Sequence, residues 1–434
     1  MSRRCFQLSI LGCLAVLAML PIAACGSSEA DQKPNVLLIV VDTLRADHLT
    51  PYGYEQNPTT PVLQQWVDEE GAEVYHGMLG SSSWTKPGVA TLFTGLDGRE
   101  HGVMRMVGKG SRMHEPDTLA HTFSQAGYAT ACVMSNFLCS IGFGAKFEIG
   151  FDYYDDSVIP QDPHRGSSAK DVTDSGLAWM QKQEGKPWMM VLHYFDPHSS
   201  FEDHPDVDWV DPAYQGWVIG GASNDLLRQR EKSLSAADRK ALEAFYDEEI
   251  HAVDTQIGRV VAHLKATGQW DNTVIVFTAD HGEELGERGH IGHTQTLRSE
   301  LVDLPCIVRV PPQLKDRWVL NESPGGGYAM RQLYPAMLEV AGVPIPAGRS
   351  LEALEVLQTQ VDFVPVYKEH VEKYVQKRGI RKGGYYYILN TRTGEELLFD
   401  LGADAATDHP LPADHAAWKD MREAFDAAQW WEAP

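Results

Sequence analysis

The chain has 434 residues, 43% of them hydrophobic and 22% charged, enough apolar material for a large core and too much for a disordered or low-complexity protein. Its 37 Lys+Arg stand against 60 Asp+Glu, a net charge of −23. That balance argues against a nucleic-acid partner, whose phosphates need a basic surface, and still permits a local anion site, because a metal or a few cations can set the field of one cleft.

Residues 1–24 read as a secretory signal. Arg3 and Arg4 precede the apolar run Ile10–Ala24, which Pro21 interrupts and which is too short to span a bilayer. The run closes on Ile22-Ala23-Ala24-Cys25-Gly26, small residues before a Cys, which resembles a bacterial lipobox. Cys25 is then the lipidated first residue of the mature chain, anchoring it to a membrane. Gly26 after it points to the outer membrane of a Gram-negative envelope, and residues 25–33 form a tether. Cleavage after Ala24 by an ordinary signal peptidase is the alternative. Of the six Cys, Cys132, Cys139 and Cys306 remain unassigned. Buried free thiols are expected, with a Cys132–Cys139 bridge as the alternative.

Asn35–Asp42 is a continuous apolar, β-branched run, the pattern of a strand covered on both faces, and Thr273–Gly282 is a second one. Between them helical patterns at Val62–Glu70, Leu119–Ala126 and Ala236–Ala266 alternate with strand patterns at Thr130–Met134 and Trp188–His193. Alternation of this kind predicts an α/β fold with a mostly parallel central sheet flanked by helices. Ligands of such sheets sit beyond the carboxyl ends of the strands. Asp42, Asp280 and His281 stand there, a set suited to a divalent cation.

Ser81–Gly95 reads as a loop leading into a helix, with Thr85 placed at the N-cap, Pro87 in the first turn and Gly95 at the end. A hydroxyl there meets free N–H groups and the positive end of the helix dipole. Residues 199–240, polar and dotted with Phe201, Trp209, Tyr214 and Trp217, form a lid, a substrate wall or a surface insertion. Leu333–Gly342 reads as a helix ending on Gly, Arg381–Asn390 and Glu395–Leu401 as a hairpin, and Ala416–Trp431 as an amphipathic helix.

Taken in order, several segments resemble the sulfatase-like branch of the alkaline phosphatase superfamily: Val41-Asp42-Thr43-Leu44-Arg45-Ala46-Asp47, Thr85-Lys86-Pro87 through Leu92-Phe93-Thr94-Gly95, His193-Tyr194-Phe195-Asp196-Pro197-His198, Asp280-His281-Gly282-Glu283-Glu284, Gly292-His293 and the closing Gly394–Leu401. The resemblance implies a catalytic domain over 34–345 and a smaller C-terminal α/β subdomain over 346–434. It implies Asp42, Asp280 and His281 as metal ligands, with Thr85 as the nucleophile that also touches the metal. His198 and His293 match positions that hold the transferring group or protonate the leaving group. Asn136 falls near a substrate-contacting position, Asp196 matches a second-site ligand or an orienter of His198, and Lys86 adds positive charge beside the nucleophile. One or two divalent ions are implied.

Three departures bear on the reaction. Sulfatases carry Cys or Ser, oxidised to formylglycine, where this chain has Thr85, and oxidised Thr would be a ketone. Their Pro-Ser-Arg is here Pro87-Gly88-Val89. Their paired Asp-Asp and their Asp-Asn are here Asp42-Thr43 and Asp280-His281, and His293 stands for a usual Lys. The altered ligands favour Zn²⁺ or Mn²⁺, with Ca²⁺ as the alternative. The expected activity is metal-dependent hydrolysis of phosphate mono- or diesters through a covalent Thr85 intermediate, acting on a small-molecule, glycan-linked or lipid-linked anionic ester. A sulfuric ester hydrolase, a phospho-group transferase and a non-catalytic lipoprotein are the alternatives. The oligomeric state is not specified by the sequence.

Overall fold

A computed structural model describes residues 33–114, 117–160, 168–183, 185–204, 206–364, 374–430 and 432. The signal, Cys25 and most of the tether lie outside the described residues. The apolar runs form a seven-stranded sheet from β1 (Asn35–Val41), β2 (Glu73–Val74), β3 (Ala129–Met134), β4 (Tyr153–Asp155), β5 (Trp188–Tyr194), β6 (Thr273–Ala279) and β7 (Cys306–Arg309). Their order is β2-β7-β6-β1-β5-β3-β4. β1, β3, β4, β5 and β6 pair in parallel, and β7 is antiparallel to both of its neighbours.

All seven residues of β1, β5 and β6 are buried, as expected of strands covered on both faces. Helices α1 (Pro61–Glu69), α2 (Thr85–Thr94), α3 (Leu119–Gln125), α4 (Ala169–Met180), α5 (Ala236–Ala266) and α6 (Leu333–Val340) accompany the sheet. Val41 is level with Tyr194 on one side and Ala279 on the other. Asp42 and Asp280 therefore leave the sheet at the same height, with His193 one residue short of the end of β5.

The C-terminal part holds four antiparallel strands, β8 (Leu357–Phe363), β9 (Val375–Lys382), β10 (Tyr385–Asn390) and β11 (Glu396–Asp400), with α7 (Ala417–Ala427). One expectation is corrected here. Arg381 belongs to β9, and the pattern read as one strand over 381–390 is broken at Gly383 and Gly384, both with positive φ, so the segment turns where only glycine turns cheaply. The segment expected as a C-terminal subdomain has a cluster of its own, with Ile380, Tyr387, Leu398, Trp418, Met421 and Phe425, and a second cluster joins it to the rest of the chain. Leu357, Val361, Tyr386, Ile388 and Phe399 pack into one cluster with Leu79, Trp84, Leu297, Leu301 and Val302. Cys132, Cys139 and Cys306 are buried and free, so the alternative bridge is not formed.

Candidate active site

Asp42, Asp280 and His281 are brought together in full burial, and a metal-binding atom from each lies within 4.8 Å of the other two. His281 Nε2 stands 3.4 Å from Asp42 Oδ1 and 3.7 Å from Asp280 Oδ2. Its Nδ1 meets Gly282 O at 2.9 Å, which as an N–H donor leaves Nε2 free to act as a ligand. Asp42 Oδ1 and Asp280 Oδ2 are buried without a hydrogen-bond partner. Orphaned carboxylate oxygens in a dry site are a strong penalty unless a cation satisfies them, so the donor set fits a divalent ion.

The electrostatics point the same way. Burial, with the Asp42 charge adding to it, pushes Asp280 up to about 8. At Asp42 burial acts upward, but the close approach of His281 and the nearby imidazoles outweigh it and hold the carboxyl well below its ordinary range. Burial would lower His281, yet the two carboxylates lift it to about 9. Two adjacent buried carboxylates resist joint ionisation, and a dication between them removes that resistance.

Thr85 Oγ1 stands 3.3 Å from His281 Nε2. Thr85 occupies the first position of α2, not the expected N-cap. That role falls to Trp84, whose extended backbone (φ −164°, ψ 160°) turns the chain into the helix. The shift by one keeps the hydroxyl inside the dipole's positive end. α2 reaches this position because residue 88 is Gly: a Cβ there would lie 2.5 Å from the carbonyl oxygen of Asp280. The helix thus packs backbone against backbone on the strand end that carries two ligands, which accounts for Gly88 in place of the larger Ser of the resembled pattern.

Asn136, just beyond β3, donates from Nδ2 to Asp42 Oδ2 at 2.6 Å and lies 3.4 Å from Thr85 Oγ1. The His293 ring centroid is 4.6 Å from that of His281 and 5.0 Å from that of His198. Burial lowers both His198 and His293 below the ordinary His range. Two expected residues are not brought to this cluster. Lys86 Nζ donates to the carbonyls of Met106 at 3.0 Å and Ser111 at 2.9 Å and lies over the Phe143 ring, with burial lowering it to about 8. Asp196 accepts the N–H of Ala169 at 2.8 Å, in the first turn of α4, and neither orients His198 nor faces the cation ligands.

Three features were not read from the sequence. Glu283, fully buried, faces His293 Nδ1 at 3.0 Å. His193 Nε2 lies 4.0 Å from Asp42 Oδ2 and 4.0 Å from Asp280 Oδ2. Thr43 and Thr294, directly after Asp42 and His293, have left-handed backbones with φ 55° and 80°, an outlier for a β-branched residue. Tyr246 of α5 holds the first by donating to Thr43 O at 2.8 Å, and Thr294 N is held on Ser83 O at 3.1 Å.

A family model described as Sulfatase matches residues 34–343. The multifunctional alkaline phosphatase superfamily protein PehA of Trinickia caryophylli is 24% identical, over 92% of this chain and 95% of its own. An arylsulfatase of Clostridium perfringens is 23% identical, over 86% of this chain and 89% of its own. The phosphonate monoester hydrolase of Agrobacterium radiobacter superposes with a TM-score of 0.68 at 19% identity, covering 91% of this chain and 94% of its own.

Proposed function

This chain belongs to the sulfatase family of ester hydrolases, and within it we propose that it cleaves phosphate mono- or diesters with unmodified Thr85 as the nucleophile. The observation that carries the reading is the hydroxyl of Thr85 at 3.3 Å from His281 Nε2, beside the orphaned oxygens of Asp42 and Asp280. Thr has no route to the aldehyde hydrate on which a formylglycine sulfatase relies, so the side chain must attack as an alkoxide. Relatives acting on sulfate and on phosphonate esters both occur, so the choice of ester rests on the nucleophile.

Asp42, Asp280, His281 and Thr85 would hold a divalent ion, Zn²⁺ or Mn²⁺ by donor type. Such an ion supplies charge that favours the alkoxide and offsets charge on the equatorial oxygens. The residues do the rest. Asn136 fixes Asp42 through its 2.6 Å hydrogen bond and places a second N–H near the attacking oxygen. The N-terminus of α2 adds its dipole to the transferring group. Thr85 gives up its hydroxyl proton to solvent as it becomes the alkoxide; its Oγ then bonds to phosphorus as the bond to the leaving oxygen breaks, and His198 or His293 gives that oxygen its proton. Burial holds both imidazoles neutral at rest, so the proton arrives with an anionic substrate beside them. Water then releases phosphate from Thr85.

The test compares wild type with Thr85→Ala on aryl phosphate, phosphodiester, phosphonate and sulfate esters, with mass spectrometry of acid-quenched enzyme. Phosphoester turnover lost in the variant, with phosphothreonine trapped at Thr85, is expected. Full activity in Thr85→Ala, or turnover of sulfate alone, would sink the reading. The lipobox-like Cys25 supports the further reading of a lipid-anchored enzyme of the cell envelope that meets esters carried on glycans or lipids. Cys25→Ala should move the chain from the membrane to the soluble fraction of its host.

A further inference from the structure

We propose that His193 builds a second divalent-cation position beside the first, the two sharing the carboxylates of Asp42 and Asp280. The proposal rests on the reading that Asp42, Asp280, His281 and Thr85 hold a cation.

His193 belongs to β5 and is 1% exposed. A buried neutral imidazole ordinarily satisfies both nitrogens. Here Nδ1 meets Ser135 Oγ at 3.1 Å, which fixes the ring, while Nε2 is buried with no hydrogen-bond partner. It faces one oxygen of each carboxylate at 4.0 Å. That is too long for a hydrogen bond, and it is the spacing of donors around a shared ion: with ion–donor distances of about 2.0–2.2 Å, two donors stand roughly 3–4 Å apart.

The sheet explains why this makes two positions. Asp42 directly follows β1, the strand between β6 and β5. His281 comes from the β6 side and His193 from the β5 side, so the imidazoles flank the carboxylate. They also divide its oxygens, since His281 Nε2 is 3.4 Å from Asp42 Oδ1 and His193 Nε2 is 4.0 Å from Asp42 Oδ2. Asp280 Oδ2 lies between them, 3.7 Å from one imidazole and 4.0 Å from the other. A carboxylate whose two oxygens face different imidazoles bridges two ions more naturally than it chelates one. Asn136 takes one lone pair of Asp42 Oδ2 and leaves the other. One nitrogen with two carboxylate oxygens suits Mn²⁺ or Zn²⁺.

The experiment is a Mn²⁺ titration of the chelator-stripped full chain, reading bound ions per chain by equilibrium dialysis and their coupling by electron paramagnetic resonance. Wild type should bind two ions with a spin-coupled spectrum. His193→Gln should bind one, with the six-line signal of isolated Mn²⁺, and His193→Glu should recover the second. A single ion in wild type, or two coupled ions in His193→Gln, overturns the proposal while the first position stands. Two ions kept in His193→Gln and lost in His293→Gln would put the second ion at the substrate-side imidazoles and also overturn it. No bound ion in wild type removes the first position and the second with it. Should the His193 variants not melt cooperatively, the wild-type spectrum decides, and an uncoupled signal at saturation overturns the proposal.

Discussion

Gly88 and Glu283 hold Thr85 and His293 in place, one by close backbone packing and one by a side-chain contact. At Gly88 the added Cβ would meet backbone, the carbonyl of Asp280, at 2.5 Å, and backbone at the end of a central strand cannot swing aside. Gly88→Ala must therefore lift the start of α2 away from Asp280 and His281. A displacement approaching 1 Å at a nucleophile can cost about 100-fold in rate, and overpacking costs about 1–3 kcal/mol. Turnover should fall by about that factor while the chain still folds, with kcat and the thermal midpoint as the two readings; wild-type kcat would show that α2 is not seated by this contact. Glu283 meets Nδ1 of His293 at 3.0 Å and leaves Nε2 as the nitrogen open to a substrate. Glu283→Gln should lower kcat by roughly 10-fold, the size expected when an imidazole loses its orienting carboxylate, and Glu283→Asp should recover part of it. An unchanged kcat and pH profile would show that the contact is only structural. The difference between what was legible and what was not lies in local pattern. Asp42, Asp280 and His281 each end an apolar run, where a polar residue signals something beyond packing. His193 and Glu283 carry no such mark: one sits inside an apolar strand and reads as core, the other among charged residues and reads as surface. Lys86 misled for a geometric reason. One residue along a helix of 3.6 residues per turn is a rotation of about 100°, so it leaves α2 on a different face from Thr85.

Elements were legible to within a residue or two where periodicity was strong. Ala236–Ala266 was read to the residue, and the structure closes its start with a capping box between Ser235 and Asp238. α1 has no such signal of its own: its N-cap, Thr60, makes no side-chain cap. The cap comes from α5, where Asp254 accepts the N–H of Val62 at 2.8 Å and of Leu63 at 3.1 Å. Two helices distant in sequence are thus joined at the orphan donors of one of them. Asp254→Ala should destabilise the chain by about 1–2 kcal/mol and leave kcat unchanged. Burial raises Asp254 from 3.8 to about 7. The folded chain then holds this proton more tightly than the unfolded one, so the contribution is complete below pH 3.8 and is lost as pH rises through about 7. Thermal melts across that window should be flatter with pH in Asp254→Ala than in wild type. An equal slope in both would assign the proton to another group.

At the scale of the whole molecule the C-terminal sheet works as a buttress for the loop and helix that carry Thr85, the proposed nucleophile. Trp84, the N-cap of α2, is 1% exposed and packs edge-on against Phe363 of β8, with centroids 5.5 Å apart at 81°. Gln360 N donates to Ser81 O at 2.9 Å, fixing the loop that enters α2. Tyr386 OH donates to Leu297 O at 2.6 Å, and Arg105 pairs with the buried Asp362 at 3.0 Å. The expected boundary near residue 346 gave no hint of this, because a boundary placed along the chain does not report which side chains meet across it. A chain ending at residue 345 would leave Trp84, Leu297, Leu301 and Val302 without the partners that bury them. Losing a large buried aromatic's contacts costs about 3–5 kcal/mol, and total stability is about 5–15 kcal/mol. The truncated chain should therefore show no cooperative melt and no turnover. Phe363→Ala isolates the effect on the site: it removes the ring against Trp84 and leaves the sheet's hydrogen bonds in place. Its kcat should fall more than its small loss of stability explains, because the freed Trp84 no longer fixes the turn that aims Thr85. A folded, active chain ending at 345, or Phe363→Ala with wild-type kcat, would make the C-terminal sheet an appendage rather than part of the catalytic core.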